Sequence, residues 1–222
     1  MDNSPYFTWF TVAITVILSL PALFSPALLE RMLFITGKIR FDGQWYRLVS
    51  PLFVHLDYFH LFFNMYSFFL FGSALESRLG AGASAAIYFA SGVAANAVLL
   101  LLKRNEYEYR MGGASGAVTA VIFASAFVMP ESSVLVFPVP VPIPALGYAV
   151  LFVFISLFAM RRSADGVCHE AHLAGGFFGI VLTLVFIPRA ILASPLYAAG
   201  IVAGIVLVFI VLAKYPALLG RA

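Results

Sequence analysis

The sequence predicts an all-α polytopic membrane protein, and two observations support that fold class. Hydrophobic residues make up 63% of the 222 residues and charged residues only 10%, with a mean hydropathy of +1.01. A soluble domain usually carries about 25% charged residues. The few charges also divide the chain into apolar stretches of the roughly 20 residues that a helix needs to cross a bilayer. These features exclude a cytosolic globular enzyme and a disordered chain.

Seven apolar stretches can be membrane spans, each bounded by charged residues or proline. The leader before the first span is acidic and lacks the basic residues of a signal peptide, so we expect this span to be retained. The spans are predicted over 7–25, 58–75, 79–102, 111–130, within 132–160, 168–187 and 190–213.

Two connections differ from ordinary loops. Residues 26–57 mix basic residues with aromatic ones, as in Arg47 beside Trp45 and Tyr46. This composition suits the lipid headgroup region and predicts a membrane-embedded first loop. Residues 134–144 alternate proline with other residues and cannot be helical, which predicts an extended linker before the fifth span.

Strongly polar residues inside spans mark candidate sites, because burying them without partners costs several kcal/mol. His60 and Asn64 are four residues apart at the start of the second span and share a helix face. Ser115 lies in Gly-Gly-Ala-Ser-Gly at the start of the fourth span, and His172 lies at the start of the sixth. The even-numbered spans run in one direction, so all four residues are predicted at similar depth on one side of the membrane.

These groups are the components of a nucleophilic acyl-transfer site. Ser115 needs a base within hydrogen-bond reach, and His172 can supply it. His60, Asn64 and the Ser115 backbone N–H can stabilise an oxyanion, assisted by the helix dipole.

Small residues predict close packing of the fourth and sixth spans. Gly116, Ala120 and Ala124 form a stripe on the fourth span, and Gly175 and Gly179 form a G-x-x-x-G on the sixth. Residues at this spacing let helix backbones approach closely, which would bring Ser115 to His172.

Each motif alone also has a structural interpretation. G-x-S-G is a weak pattern, His60 with Asn64 could bridge helices, and His172 could cap a helix. A zinc site at Cys168–His172 is disfavoured because its histidines are three apart, whereas H-E-x-x-H places them four apart. A small transporter would place its polar groups near span centres. The shared depth of the four residues favours the acyl-transfer site, with no metal.

Five ordered motifs across about 43–180 connect the chain to a known family. They are Gly43-Gln-Trp-Tyr-Arg-Leu48 with Pro51-Leu-Phe-Val-His55, His60-Leu-Phe-Phe-Asn64, Glu76-Ser-Arg-Leu-Gly80, Gly113-Ala-Ser-Gly116 and Ala171-His-Leu-Ala-Gly175. In these motifs the sequence resembles the rhomboid intramembrane serine proteases. The resemblance implies a six-helix catalytic core over 1–190, and 191–222 then add a seventh span and a short tail, giving a six-plus-one layout.

The resemblance also implies roles for individual residues. Ser115 would be the nucleophile and His172 the general base, with no aspartate, while His60 and Asn64 help form the oxyanion hole. Gly113 would lie in the turn that presents the serine.

Further residues match structural positions of the family. His55 matches a position near the polar cavity, Trp45 and Arg47 match the membrane-embedded first loop, and Glu76 and Arg78 match a polar pair at the far end of the second span. One departure concerns the position four residues after the serine. Family members often carry an aromatic residue there that stacks on the catalytic histidine, and this chain has Thr119.

The resemblance implies a serine endopeptidase that cleaves membrane-protein substrates in or near their transmembrane segments. The fifth span, about 145–160, and the loop 161–170 would form a lateral gate and cap. The expected partners are transmembrane substrates and the lipid bilayer, without nucleic acid or cofactor, in a prokaryotic cell membrane. The alternative is a non-proteolytic rhomboid-like protein that binds membrane clients, which would keep the fold without the dyad.

The charges conflict with the family over orientation. Eleven of the 13 basic residues fall on the side of the proposed active site, which the positive-inside rule assigns to the cytoplasm. The resemblance implies an active site that opens to the outer face, and we expect the family orientation.

Overall fold

The computed structural model describes residues 4–135, 141–160, 168–189 and 195–214. Within these ranges the protein is predominantly helical, as the composition predicts. The helices are α1 (Tyr6–Phe24), α2 (Pro26–Met32), α3 (Thr36–Phe41), α4 (Tyr58–Leu102), α5 (Ser115–Val128), α6 (Ala145–Met160), α7 (His169–Phe186) and α8 (Pro195–Lys214). In the described part of the chain, α1, α4 and α7 are long and apolar enough to cross a membrane. The six-plus-one count of spans stays a prediction.

The α4 helix is a hairpin of two helical segments. Gly80 has a non-helical backbone with φ of 78°. The ring centroids of Phe68 and Tyr88 are 4.6 Å apart, although about 30 Å would separate them along a straight helix. The chain therefore reverses near Gly80, and α4 contains the predicted spans 58–75 and 79–102.

The α1 helix packs with its small and polar face inward. Its buried residues are Thr8, Thr11, Thr15, Ser19 and Ala22. Its exposed large apolar residues are Tyr6, Trp9, Phe10, Ile17, Leu20 and Phe24. Small and hydroxyl-bearing side chains suit helix contacts within a membrane, and the bulky outward face suits lipid.

The two ends of α1 fix its direction relative to α4. The Phe7 and Thr8 backbone N–H groups each donate to the Glu76 carboxylate at 2.8 Å, so this carboxylate caps the start of α1. At the other end, the rings of Phe24 and Tyr58 are 6.3 Å apart. The start of α1 thus lies beside Glu76, and its end lies beside Tyr58, where α4 begins and the proposed site is located. Glu76 is bound to α1, and no ion pair among the described residues joins it to Arg78.

The α5 helix is the centre of the structure. Every residue from Gly116 to Phe127 is buried, and α5 packs against both α4 and α7. A helix that is apolar on every side is buried on every side. Its first residue, Ser115, is consequently held by neighbours from several helices.

The predicted fourth span, 111–130, is too long at its N-terminal end. Arg110–Met111 is a strand, and α5 begins only at Ser115. Gly113 has φ of +139°, a conformation that breaks a right-handed helix and that L side chains rarely adopt. The segment ahead of Ser115 is therefore not helical, and α5 begins two residues after Gly113.

Four short strands in the described part of the chain depart from the all-α prediction. Phe34–Ile35 pairs antiparallel with Arg110–Met111, with Phe34 opposite Met111. The first loop is thereby hydrogen-bonded to the segment that leads into α5. The second pair joins Ser133–Val134 to Ile143–Pro144, at the two ends of the predicted extended linker.

The predicted first loop contains two short helices and two 3₁₀ turns, and Arg47 joins the first of these turns to the end of α2. Arg47 is 4% exposed and donates to the Glu30 and Leu33 carbonyls at 2.7 and 2.6 Å, at the end of α2. A guanidinium at a helix C-terminus satisfies carbonyls that lack partners within the helix. Trp45 is 59% exposed, as suits an aromatic residue at a membrane interface.

Candidate active site

The starts of α5 and α7 are in backbone contact, which brings the surroundings of Ser115 and His172 together. A β-carbon at Gly116 would lie 3.1 Å from the Ala171 carbonyl oxygen. A β-carbon at Gly175 would overlap the Gly116 carbonyl oxygen. Ser115 and His172 each adjoin a residue of this contact in sequence.

The same contact continues one turn deeper. A β-carbon at Gly179 would lie 2.5 Å from the Ala120 carbonyl oxygen. Glycine at 175 and 179 is therefore required where α7 lies on α5, because no larger residue fits without moving a backbone.

Ser115 is partly exposed among buried neighbours at the first position of α5. The first N–H groups of a helix have no partner within it, which favours negative charge beside them. Thr119, one turn later, donates its hydroxyl to the Ser115 carbonyl at 2.7 Å. Thr119 thus binds the backbone of the serine.

His60 lies against the turn before Ser115. A β-carbon at Gly113 would be 2.6 Å from His60 Cε1 and 2.8 Å from Nε2, so only glycine fits beside the imidazole. The Gly113 N–H donates to the Pro51 carbonyl in the first loop at 3.0 Å. The first loop and His60 therefore fix this turn from two sides.

Asn64 is buried one turn after His60 on the same face of α4. Its side-chain amide donates to the His60 carbonyl at 2.9 Å. A primary amide carries two N–H donors, and this bond uses one of them. His60 and Asn64 thus lie on the face of α4 that borders the Gly113 turn.

The His55 side chain links α1 to Ala114, the residue before Ser115, by hydrogen bonds. Its Nε2 accepts from the Ala114 N–H at 3.3 Å, and its Nδ1 lies 3.1 Å from Ser19 Oγ. Ser19 in turn donates to the Phe53 carbonyl at 3.0 Å, so Nδ1 carries the proton and donates to Ser19. Burial, with a contribution from the neighbouring His60, lowers the pKa of His55 to about 3. His55 is therefore a neutral imidazole at physiological pH.

Among the described residues, two rings contact the His172 imidazole, which is itself buried. The Phe152 ring on α6 has its centroid 5.7 Å from that of His172, at an interplanar angle of 42°. His169 lies edge-on at 5.6 Å and 83°. Among the described residues, an aromatic neighbour of His172 thus comes from α6, whereas the family pattern places one at position 119.

A buried polar cluster fixes the start of α7. Lys103, just after α4, lies 3.4 Å from the Glu170 carboxylate and 3.6 Å from that of Glu106. Its ammonium also lies 5.0 Å from the centre of the Tyr109 ring. The Cys168 thiol lies 3.7 Å from the Glu170 carboxylate.

Sequence reasoning missed three contributors to this site: Ser19, Phe152 and the Lys103–Glu170 pair. For Ser19 a signal existed, because Thr8, Thr11, Thr15 and Ser19 recur at helical spacing. Such a polar stripe in an apolar span marks its packed face. No local pattern distinguishes Phe152 from the other aromatic residues of its helix.

No group of three His, Cys, Asp or Glu side chains in the described ranges could hold a metal ion. The segments that meet at the start of α5 carry a hydroxyl, imidazoles, an amide and backbone N–H donors. This combination suits acyl transfer to a serine.

The fold and the site define a class of protein, namely a helical membrane protein with a serine and a histidine at adjoining helix starts. A family model described as the rhomboid domain matches residues 42–189, more than half of the chain. The chain belongs to the rhomboid family, as its motifs predict.

Individual relatives come from bacteria and mitochondria. The chain is 31% identical over 144 residues to the rhomboid-family protein YdcA of Bacillus subtilis, covering 61% of this chain and 66% of that protein. It is 32% identical over 139 residues to the mitochondrial presenilin-associated rhomboid-like protein of Mus musculus, covering 60% and 37%. It is 25% identical over 140 residues to rhomboid protease GluP of Bacillus subtilis, covering 62% and 26%. The chain thus matches less than two thirds of the length of each of these relatives.

Proposed function

We propose that the protein is an intramembrane serine endopeptidase that hydrolyses peptide bonds in or near the transmembrane segments of membrane proteins. The observation that carries this proposal is the backbone contact of α5 with α7 at Gly116 and Ala171, which joins the neighbourhoods of Ser115 and His172. Membership of a family that includes proteases supports it.

In the proposed reaction, Ser115 Oγ attacks the scissile carbonyl and passes its proton to His172. The negative charge on the carbonyl oxygen is stabilised by His60, Asn64 and the Ser115 backbone N–H. His172 then returns the proton to the leaving amine, and the acyl group remains on Ser115. Water, deprotonated by His172, hydrolyses that ester and regenerates the serine. No metal or cofactor takes part in these steps.

The substrates we propose are transmembrane helices that unwind locally. A helix in lipid keeps its carbonyls in internal hydrogen bonds, so the scissile bond is accessible only where the helix opens. Small or helix-breaking residues near the cut are therefore expected. We assign the lateral gate to α6 and the cap to 161–170, of which 161–167 lie outside the described residues.

The assignment of 1–190 to the catalytic core and 191–222 to an added span and tail belongs to the same proposal. So does a location in a prokaryotic cell membrane, with the bilayer and transmembrane substrates as partners. The bacterial and mitochondrial relatives both support an integral membrane protein.

Labelling by a fluorophosphonate probe tests the proposal. A serine activated by a base reacts covalently with this probe, whereas an ordinary hydroxyl does not. We expect labelling of the purified protein in detergent, mapped to Ser115, and its loss in Ser115→Ala and His172→Ala.

Ser125→Ala is the matched control. Ser125 lies on the same helix and donates to the Phe71 carbonyl at 3.0 Å, away from the proposed dyad. Its variant should be labelled like the wild type. An unlabelled wild type that folds would favour the non-proteolytic client-binding alternative.

A further inference from the structure

Phe152 connects α6 to the proposed general base. Its ring centroid lies 5.7 Å from that of His172 at 42°, within the range of aromatic contacts that orient rings. The contact is made across two helices, because Phe152 lies on α6 and His172 near the start of α7.

The Phe152 ring also contacts one ring on α5 and one on its own helix. It meets Phe123 of α5 edge-on at 6.1 Å and 83°, and lies 6.4 Å from Tyr148 one turn earlier on α6. Tyr148 stacks on Phe71 of α4 at 5.9 Å and 15°. These contacts tie the ring beside His172 to both α5 and α4.

Thr119, at the position where family members often carry an aromatic residue, makes no ring contact with His172. Thr119 is one turn after Ser115, and its hydroxyl is turned back to the Ser115 carbonyl at 2.7 Å. A threonine has no ring to set against an imidazole. Among the described aromatic contacts, the rings beside His172 are those of Phe152 and His169.

We infer that Phe152 is a positioning residue that holds the His172 imidazole in the orientation required to accept the Ser115 proton. This inference rests on the proposed serine-protease function. It places the orientation of the base under the control of α6, the helix assigned to the lateral gate. Removing the ring takes away one of the contacts that orient the imidazole, so fewer encounters have the reactive geometry.

The test measures the rate of fluorophosphonate labelling in detergent for Phe152→Leu, Phe152→Met and Phe152→Tyr. The small probe reports on the dyad without requiring a helix to enter past α6. We expect Phe152→Leu and Phe152→Met to label about threefold to tenfold more slowly, and Phe152→Tyr, which keeps the ring, to label within about twofold of the wild type. For a membrane substrate we expect the loss in kcat with KM unchanged.

Leu146→Ala is the matched control, since it removes buried packing from α6, where Leu146 is 9% exposed, and leaves the rings of Phe152, Tyr148 and His172 in place. It should label at the wild-type rate. Equal slowing in Leu146→Ala and Phe152→Leu would overturn the inference, because general packing of α6 would then be responsible. Unchanged labelling in Phe152→Leu, or a change in KM alone, would also overturn it. A wild type that is not labelled would overturn the protease proposal itself, so the two failures are distinct.

Discussion

Gly175 of α7 lies so close to Gly116 of α5 that a β-carbon on Gly175 would overlap the Gly116 carbonyl oxygen. This contact is one residue from Ser115 and three residues from His172. The distance between the two helix backbones therefore determines the geometry of the proposed dyad.

The first prediction concerns this contact. Gly175→Ala should lower the free energy of unfolding by about 1–3 kcal/mol, because the added methyl group forces α5 and α7 apart. It should also lower the cleavage rate per folded molecule. Gly82→Ala is the control, since a β-carbon at Gly82 meets nothing within 4 Å and alanine favours a helix. Thermal unfolding in detergent measures the stability of the two variants, and equal stability would contradict the account.

The second prediction concerns the turn before the serine. Gly113→Ala introduces a β-carbon 2.6 Å from His60 and is also strained by its φ of +139°. It should reduce fluorophosphonate labelling at least about tenfold, because His60 and the Ser115 N–H lose their mutual position.

Gly43→Ala separates the two causes. Gly43 has φ of +66° with nothing within 4 Å, so its variant has the backbone strain without the clash. It should lose about 1–2 kcal/mol of stability and keep normal labelling per folded molecule. Equal labelling of Gly113→Ala and wild type would show that His60 needs no glycine beside it.

The third prediction concerns the ion pair that holds the start of α7. Lys103→Met leaves the Glu170 carboxylate buried without its cation and should cost about 3 kcal/mol of unfolding free energy. The double variant Lys103→Met/Glu170→Met should regain more than half of that loss, because neither charge then remains unpaired. Chemical denaturation of all three proteins checks this, and a double variant less stable than the single one would refute it.

The fourth prediction is a pH dependence that arises from His55. Its pKa is lowered from about 6.5 to about 3 in the folded protein, so between these values the unfolded chain binds a proton that the folded protein does not. The unfolding free energy should therefore fall as the pH falls through this window, by up to about 1.4 kcal/mol per pH unit. His55→Gln lacks this dependence, and its stability deficit against wild type should shrink between about pH 6.5 and about pH 4.5. Parallel curves of unfolding free energy against pH for the two proteins would contradict a buried, neutral His55.

The sequence was sufficient for the features that depend on composition and spacing. Apolar stretches predicted the helices, and the shared direction of even-numbered spans indicated that Ser115 and His172 would lie at the same end. The rhomboid motifs predicted the family to which the chain belongs. The catalytic roles of these residues stay predictions, as do the individual roles of His60 and Asn64.

Features that depend on how helices are rotated against one another could not be predicted. Whether Phe152 or another aromatic residue of α6 meets His172 is decided by the orientation of that helix, which an apolar pattern without periodicity does not encode. The pairing of Phe34–Ile35 with Arg110–Met111 joins segments far apart in sequence, and two-residue strands leave no alternating pattern. The resemblance suggested Arg78 as the polar partner of Glu76, but the start of α1 provides it.

Orientation in the membrane has its own test, since eleven of the 13 basic residues are predicted on the side of the site. Ser4 precedes the start of α1, which lies at the end of that helix away from the site. Protease protection of an N-terminal tag in sealed right-side-out vesicles of known sidedness would decide between the charge pattern and the family orientation. We expect the tag to be protected in such vesicles.

The most direct test of the central proposal is cleavage of a membrane-anchored model substrate by the purified protein in liposomes, followed by mass spectrometry of the products. The wild type and Ser125→Ala should cut within or beside the transmembrane segment, and Ser115→Ala and His172→Ala should lose the activity while unfolding at the wild-type temperature. Cleavage retained in a folded Ser115→Ala would contradict the account.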